Sequence, residues 1–314
     1  MISAIQQIPP SRYIIYVGFL LIFAVFAVVL RDDGFMTTAN LFNIVQQTAP
    51  VTVMAVAMVF VFTAGEIDLS IGSIVAVSAL FTAIVLRDFS WFVGAAAGLG
   101  VGAAIGALNG ALVAYGRLPS FLVTLATMGV FAGVSRRMTG LQSVPIENDT
   151  YNTLFGSGNL FGIPSLTLWT IAAVAIGYFV FRETRWGSHV HATGDSARAA
   201  RAAGIRVLRV RFAVMVLSGT LAGLAGLLYA GRLHGARYTL GEADLLTVIA
   251  AVIVGGTRLN GGAGSILGAL IGSLLMGVLN NGLILAGFQP SDQMIARGLI
   301  ILIAVAMTLR EPNR

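Results

Sequence analysis

The sequence predicts an all-α integral membrane protein, about ten transmembrane helices built around an inverted internal repeat. The first observation behind this is composition. Of 314 residues, 57% are apolar and only 10% are charged, against roughly 25% charged in a soluble domain. With a mean hydropathy of +0.89, too few polar side chains remain to cover a water-facing surface. The second is a series of long apolar runs. The third is a pair of motifs that occurs twice.

A bilayer core about 30 Å thick needs roughly 20 apolar residues per helix. Ten stretches qualify as candidate spans: 13–30, 41–63, 69–86, 91–115, 119–138, 165–182, 211–231, 244–257, 262–285 and 292–309. The first reads YIIYVGFLLIFAVFAVVL and has no small-residue cleavage site after it, so we read it as a retained span rather than a signal peptide. The span 244–257 is the shortest.

Orientation follows from arginine, since loops held in the cytosol are enriched in basic residues. The segment 183–210, with Arg182 and Arg211 at its edges, carries most of the bias and is assigned to the cytosol. An even number of spans then places both termini inside, with 12 Arg on that side and 7 on the other. The polar stretch 139–164 becomes the longest external loop, an ordered turn region rich in Asn, Gly and Pro. The net charge of +6 is explained by this retention of Arg, and no nucleic-acid partner is expected.

Absences narrow the chemistry. There is no Cys, hence no disulfide and no thiolate. Every one of the 19 basic residues is Arg, so the chain lacks the Lys that a phosphate-cradling Walker loop requires. With three His, two of them neighbours in the basic loop (His189 and His191), no metal site is expected and no cofactor in this chain.

GALNGALVAYGRLPS from Gly106 recurs as GVLNNGLILAGFQPS from Gly277, an offset of 171. Thr63-Ala-Gly-Glu-Ile-Asp-Leu69 recurs as Thr239-Leu-Gly-Glu-Ala-Asp-Leu245, an offset of 176. Five spans separate the members of each pair, and an odd number turns the second copy upside down. Inverted repeats are a common transporter plan, with the solute route between the halves; duplication kept for packing alone is the other reading. Gly98, Gly102, Gly106 and Gly110 form one small-residue stripe. Ala269, Ser273 and Gly277 form a weaker one, with Gly264, Gly268 and Gly272 beside it. Such stripes let helix backbones approach where lipid supplies no hydrophobic drive.

Polar residues inside apolar runs are costly, so they mark a route or a structural bond. Glu66 and Asp68 interrupt one run; they line a polar route, or Gly65 ends one helix and Asp68 caps the next. Asp244 takes the same capping reading. Asn43, Gln46 and Gln47 share a helical face, and Asn109, Asn280 and Asn281 sit mid-helix. Amides suit sugar hydroxyls because each donates and accepts, and they equally well glue helices together. In the basic loop, DSARAARAAG reads as a short helix with Asp195 at the N-cap and Gly204 just past the end. It serves either as a docking element for a partner or as a solvated, lipid-touching loop.

LFNIVQQT, TAGEIDLSIGS, GRLPSFLVTLATM, ATGDSARAARAAGI, ADLLTVIAAVIVGGTRLNGG and SDQMIARGLIILIAV, taken in order, resemble the ribose-type branch of ABC importer permeases over residues 40–309. The resemblance implies a permease dimer, identical or mixed, in a bacterial cytoplasmic membrane. It implies a cytosolic ABC ATPase that binds ATP and Mg, and an external binding protein that delivers a monosaccharide. The basic loop then resembles the family's coupling helix, with Gly194, Asp195, Ala199, Ala200, Gly204 and Ile205 in the docking role. Glu66 departs from the pattern, which usually has Gly there, and Asp195-Ser-Ala-Arg198 replaces the usual Asn-Glu-Ala-Ala. A proton-coupled carrier working through Glu66 and Asp68 is the rival reading.

Overall fold

The computed structural model describes residues 11–160, 162–289, 291–296, 298, 299 and 302. Its helices are α1 (Ser11–Val29), α2 (Thr38–Thr63), α3 (Ile71–Val85), α4 (Trp91–Ala114), α5 (Ser120–Thr139), α6 (Asp149–Phe155), α7 (Ser165–Glu183), α8 (Arg185–Asp195), α9 (Ala197–Ala202), α10 (Val207–Leu233), α11 (Asp244–Val254) and α12 (Ile266–Leu285). A further helical turn begins at Ser291. Most of the expected span 292–309 lies outside the described residues, as do Arg310 and Arg314. Five helices are long and apolar enough to cross a membrane by length and composition: α2, α4, α7, α10 and α12. The shorter apolar helices are Tyr16–Val29, α3 and α11.

The core is built around α2 and α10. From Thr48 to Thr63 every residue of α2 is buried, so it is wrapped on all sides. Helix α10 lies against α4 along the predicted glycine stripe. A Cβ on Gly102 would collide with the backbone at Gly219 and Gly223, and one on Gly106 with Met215 and Gly219. Only two facing rows of small residues permit that approach. In the other half the two small-residue phases divide their work. Gly268 and Gly272 lie against Gly255 and Ala251 next to or in α11, while Ser273 and Gly277 face Thr52 and Thr48 of α2. The Ser273 and Thr52 hydroxyls bond at 2.8 Å.

The loop 139–164 is ordered, as its composition suggests. It contains α6, N-capped by Asn148, and the short strands β1 (Val144–Pro145), β2 (Asn159–Leu160) and β3 (Ile163–Pro164). Strands β2 and β3 form a hairpin. Strand β1 pairs antiparallel with β4 (Gly235–Ala236), in the register Val144↔Ala236, which ties this loop to the far end of α10. Tyr151 is fully buried and donates to the Leu227 carbonyl at 2.9 Å. Burial pushes its hydroxyl well above the ordinary phenol range, so it stays a neutral donor. The basic loop, as α8 and α9, sits at the opposite end of α10.

The α4–α10 contact predicts unequal effects within one helix. Gly106→Val forces a side chain into backbone and should destabilise by about 3 kcal/mol or more. Gly100, on the open face of α4, should tolerate Ala and gain about 0.5–1 kcal/mol from helix propensity. Thermal melting of the purified protein in detergent checks both.

Candidate functional site

Two regions hold the polar residues singled out by sequence, and they lie at opposite ends of the molecule. At the basic-loop end, Gly65 (φ +77°) turns the chain out of α2. Asp68 follows with no exposure at all. Its Oδ1 accepts from the Ser70 N–H at 2.9 Å and the Ser70 hydroxyl at 2.6 Å, and its Oδ2 from the Ser218 hydroxyl of α10 at 2.7 Å. Asn109 of α4 donates to Ser70 Oγ at 2.9 Å. The expected helix cap is therefore corrected: Ser70 holds the N-cap position, and Asp68 instead fastens three helices. Beside it Glu66, also buried, pairs with Arg211 of α10 at 2.8 Å. Asn109 and Asp68 thus make structural bonds.

The basic loop rests on this turn. Gly194 packs so tightly on the Thr63 carbonyl and Gly262 that no side chain would fit, and the Gly262 N–H donates to Thr63 O at 3.0 Å. His191 Nδ1 lies 3.1 Å from the Gly262 carbonyl. The short helix starts one residue later than expected. Asp195 ends α8, and Ser196 caps α9 by accepting from the Ala199 N–H at 3.3 Å. Its close matches expectation: Gly204 has φ +84°, its N–H donates to Arg201 O at 3.0 Å, and Ile205 N–H donates to Ala200 O at 3.0 Å. That is the pairing of a Schellman motif. Asp195, Ala199 and Gly204 are exposed, whereas Ala200 is buried and Gly194 and Ile205 are half-buried.

At the α6 end lies a cavity of about 180 Å³. Helix α2 contributes Gln47, Thr48 and Val51; α10 contributes Tyr229 and Arg232. Asp244 and Thr247 come from α11, and Ser273, Met276, Gly277 and Asn280 from α12. Of the amides, Gln47 and Asn280 line it, and Asn43 at its edge accepts from Arg232 at 3.3 Å. Gln46 is half-buried and is not among the lining residues. Asn281, one position on from Asn280, turns away and exchanges two bonds with Asn40, at 2.9 and 3.0 Å.

Sequence reasoning missed Tyr229, Arg232, Thr247 and Ser273 as site residues, and it read Asp244 as a cap. Asp244 is the first residue of α11, one position after the N-cap Ala243. Its Oδ2 accepts from the Tyr229 hydroxyl at 2.7 Å. No grouping of His, Asp and Glu among the described residues is suited to a metal.

The family model described as the permease component of branched-chain amino acid transport systems matches residues 40–305. The chain belongs to this permease family. It is 40% identical over 279 residues to the ribose import permease protein RbsC of Escherichia coli (strain K12), covering 87% of each chain. It is 37% identical to RbsC of Bacillus subtilis (strain 168), over 90% of this chain and 88% of that one. It is 34% identical to the L-arabinose ABC transporter permease protein AraH of Azospirillum brasilense, over 94% and 86%. No solved structure matches the chain. It is a multi-pass membrane protein, the permease component of an ABC transporter and not itself an ATPase.

The Glu66–Arg211 pair makes a prediction. Arg211→Gln leaves a buried carboxylate without its cation and should cost about 2 kcal/mol, between the values for exposed and buried pairs because the arginine is partly exposed. Adding Glu66→Gln should recover most of that loss. A double-mutant cycle on melting temperatures reads the coupling.

Proposed function

We propose that the chain is the membrane-spanning subunit of an ABC importer that passes a monosaccharide, a ribose-like pentose or related sugar, from an external binding protein to the cytosol. The observation that carries this reading is the lining of the cavity. Eight of its eleven residues are polar, a surface suited to a solute that is hydroxylated all round. Identity to ribose and arabinose permeases points the same way. The family's general description names branched-chain amino acids, yet an aliphatic side chain would find only Val51, Met276 and Gly277 there.

In this reading the basic loop faces the cytosol of a bacterium, with the inner membrane as its location and both termini inside. The cavity lies toward the outer face. The partner ATPase binds ATP and Mg and docks on the exposed side of α8 and α9. A second permease copy or close homologue completes the pathway. The two Gly-Glu-X-Asp turns are inverted-repeat counterparts. In their support, Gly65 and Gly241 share a left-handed backbone (φ +77° and +80°) and each following Glu pairs with an Arg, Glu66 with Arg211 and Glu242 with Arg136. A proton carrier is disfavoured by geometry: Glu66 and Asp68 are engaged in bonds at the end away from the cavity.

The test is uptake by proteoliposomes. D-ribose or L-arabinose should accumulate only with ATPase, binding protein and ATP present, and L-leucine should not. Accumulation by the chain alone under a pH gradient would overturn the reading. Within the same assay, Ala199→Trp should leave the melting temperature unchanged, because Ala199 is exposed, and abolish co-purification of the ATPase.

A further inference from the structure

The connector 255–265, between α11 and α12, is built into the basic loop rather than lying free beside it. Gly261 and Gly262 meet Gly194 and Asp195 backbone to backbone. A Cβ on Gly261 would lie 2.7 Å from the Gly194 carbonyl oxygen, and one on Gly262 3.1 Å from Asp195 Cα. Both glycines have left-handed backbones, φ +90° and +77°, a conformation that a Cβ disfavours. The connector is also closed on itself. The Thr257 N–H donates to Val252 O at 3.1 Å and the Gly256 N–H to Ile253 O at 2.9 Å, so α11 ends in a Schellman motif. The Arg258 N–H donates to Ala263 O at 3.0 Å, and the Ser265 N–H to Thr257 Oγ1 at 3.3 Å. Its side chains alternate: Thr257 is buried and Leu259 packs on the core, while Arg258 and Asn260 are exposed. The backbone thus presents Arg258 and Asn260 in set positions beside the α8–α9 junction.

Charge gives the kind of partner. The exposed charged residues of segment 195–204 and of this connector are Asp195, Arg198, Arg201 and Arg258, three positive against one negative. None of them forms an ion pair among the described residues. We propose that the connector 255–265 is a second docking element for the partner ATPase, continuous with α8 and α9, in which Arg258 pairs with a carboxylate on that protein and Asn260 supplies an amide beside it. The proposal rests on the docking of the ATPase at α8 and α9, and it extends that surface to the segment joining α11 to α12. A partner seated on both elements holds α10, α11 and α12 by their ends. An anionic lipid headgroup could also take Arg258 as a charge, but it needs no fixed alignment with α9. A protein surface does, because complementary shape and charge require set positions.

The experiment uses the full chain in lipid nanodiscs and the ABC ATPase with which the wild-type chain co-purifies. The chain has no Cys, so a single introduced thiol can carry benzophenone maleimide before the ATPase is added. Asn260→Cys should photo-cross-link to the ATPase, as should Ala199→Cys, whereas Thr150→Cys, on α6 at the other end, should not. Arg258→Glu should weaken ATPase binding by about tenfold in phosphatidylcholine nanodiscs at low salt, with the melting temperature unchanged because Arg258 is exposed. Cross-linking from position 260 to lipid or to nothing, while position 199 still reaches the ATPase, overturns the second element alone. Unchanged affinity in Arg258→Glu, or a loss confined to nanodiscs containing phosphatidylglycerol, overturns it as well. Failure of both positions 199 and 260 to reach the ATPase overturns the docking reading beneath it.

Discussion

Asp68 is a carboxylate with no exposed surface, and burying such a group unpaired costs more than a marginally stable fold can spare. Its three donors come from Ser70, by N–H and hydroxyl, and from Ser218. Asn109 then bonds Ser70 from a third helix. Satisfying one side chain therefore sets where α3 begins and how it meets α4 and α10. The glycine rows of α4 and α10 are the necessary complement. They let the two backbones come close enough for Ser218 and Asn109 to converge on the same turn. Neither device suffices alone: small residues permit contact without specifying register, and the polar knot specifies register only if contact is possible.

The same turn is the seat of the basic loop. Gly65, three residues before Asp68, lies against Gly194, so the loop packs on the turn that the Asp68 knot fastens. Glu66 belongs to this arrangement. Its partner, Arg211, stands at the foot of α10. The ion pair adds a link between the α2–α3 turn and the helix that follows the loop. Its position explains how a charge there is tolerated.

Much of this architecture is legible from sequence, and the failures have physical causes. Apolar run length and the four-residue glycine spacing are local patterns, and the helices and the packing face of α4 follow them; that α10 is the helix on that face is not in the pattern. The cap of α9 falls one residue later than expected because Asp195 and Ser196 are both good caps; Asp195 is the last residue of α8, and Ser196 takes the cap position. Asn280 and Asn281 are indistinguishable as letters, but they point about 100° apart on a helix, one into the cavity and one toward Asn40. Arg232 and Tyr229 read as the ordinary flank of a span. Their meaning depends on Asn43 and Asp244, and neither pairing leaves a trace in periodicity.

Helix α2 joins the two ends. Gln47 and Thr48 line the cavity and Thr63 bears on Gly194, within one continuous helix of 26 residues. A helix is stiff because each N–H bonds the carbonyl four residues back, and Pro50, inside α2, has no N–H to give to the Gln46 carbonyl. The break in the ladder falls beside the cavity, while the stretch from Pro50 to Thr63 is wrapped on every side. Force applied to the basic loop would thus be carried unbent along the buried portion. It would be released where the ladder is weakest, next to Gln47. A change of angle there alters the spacing between α2 and the α11–α12 pair, the two walls that hold Gln47 and Asn280 across the cavity. Helix α2 is thus one rod, seated on a tight glycine contact at one end and interrupted in its hydrogen-bond ladder by a proline near the other.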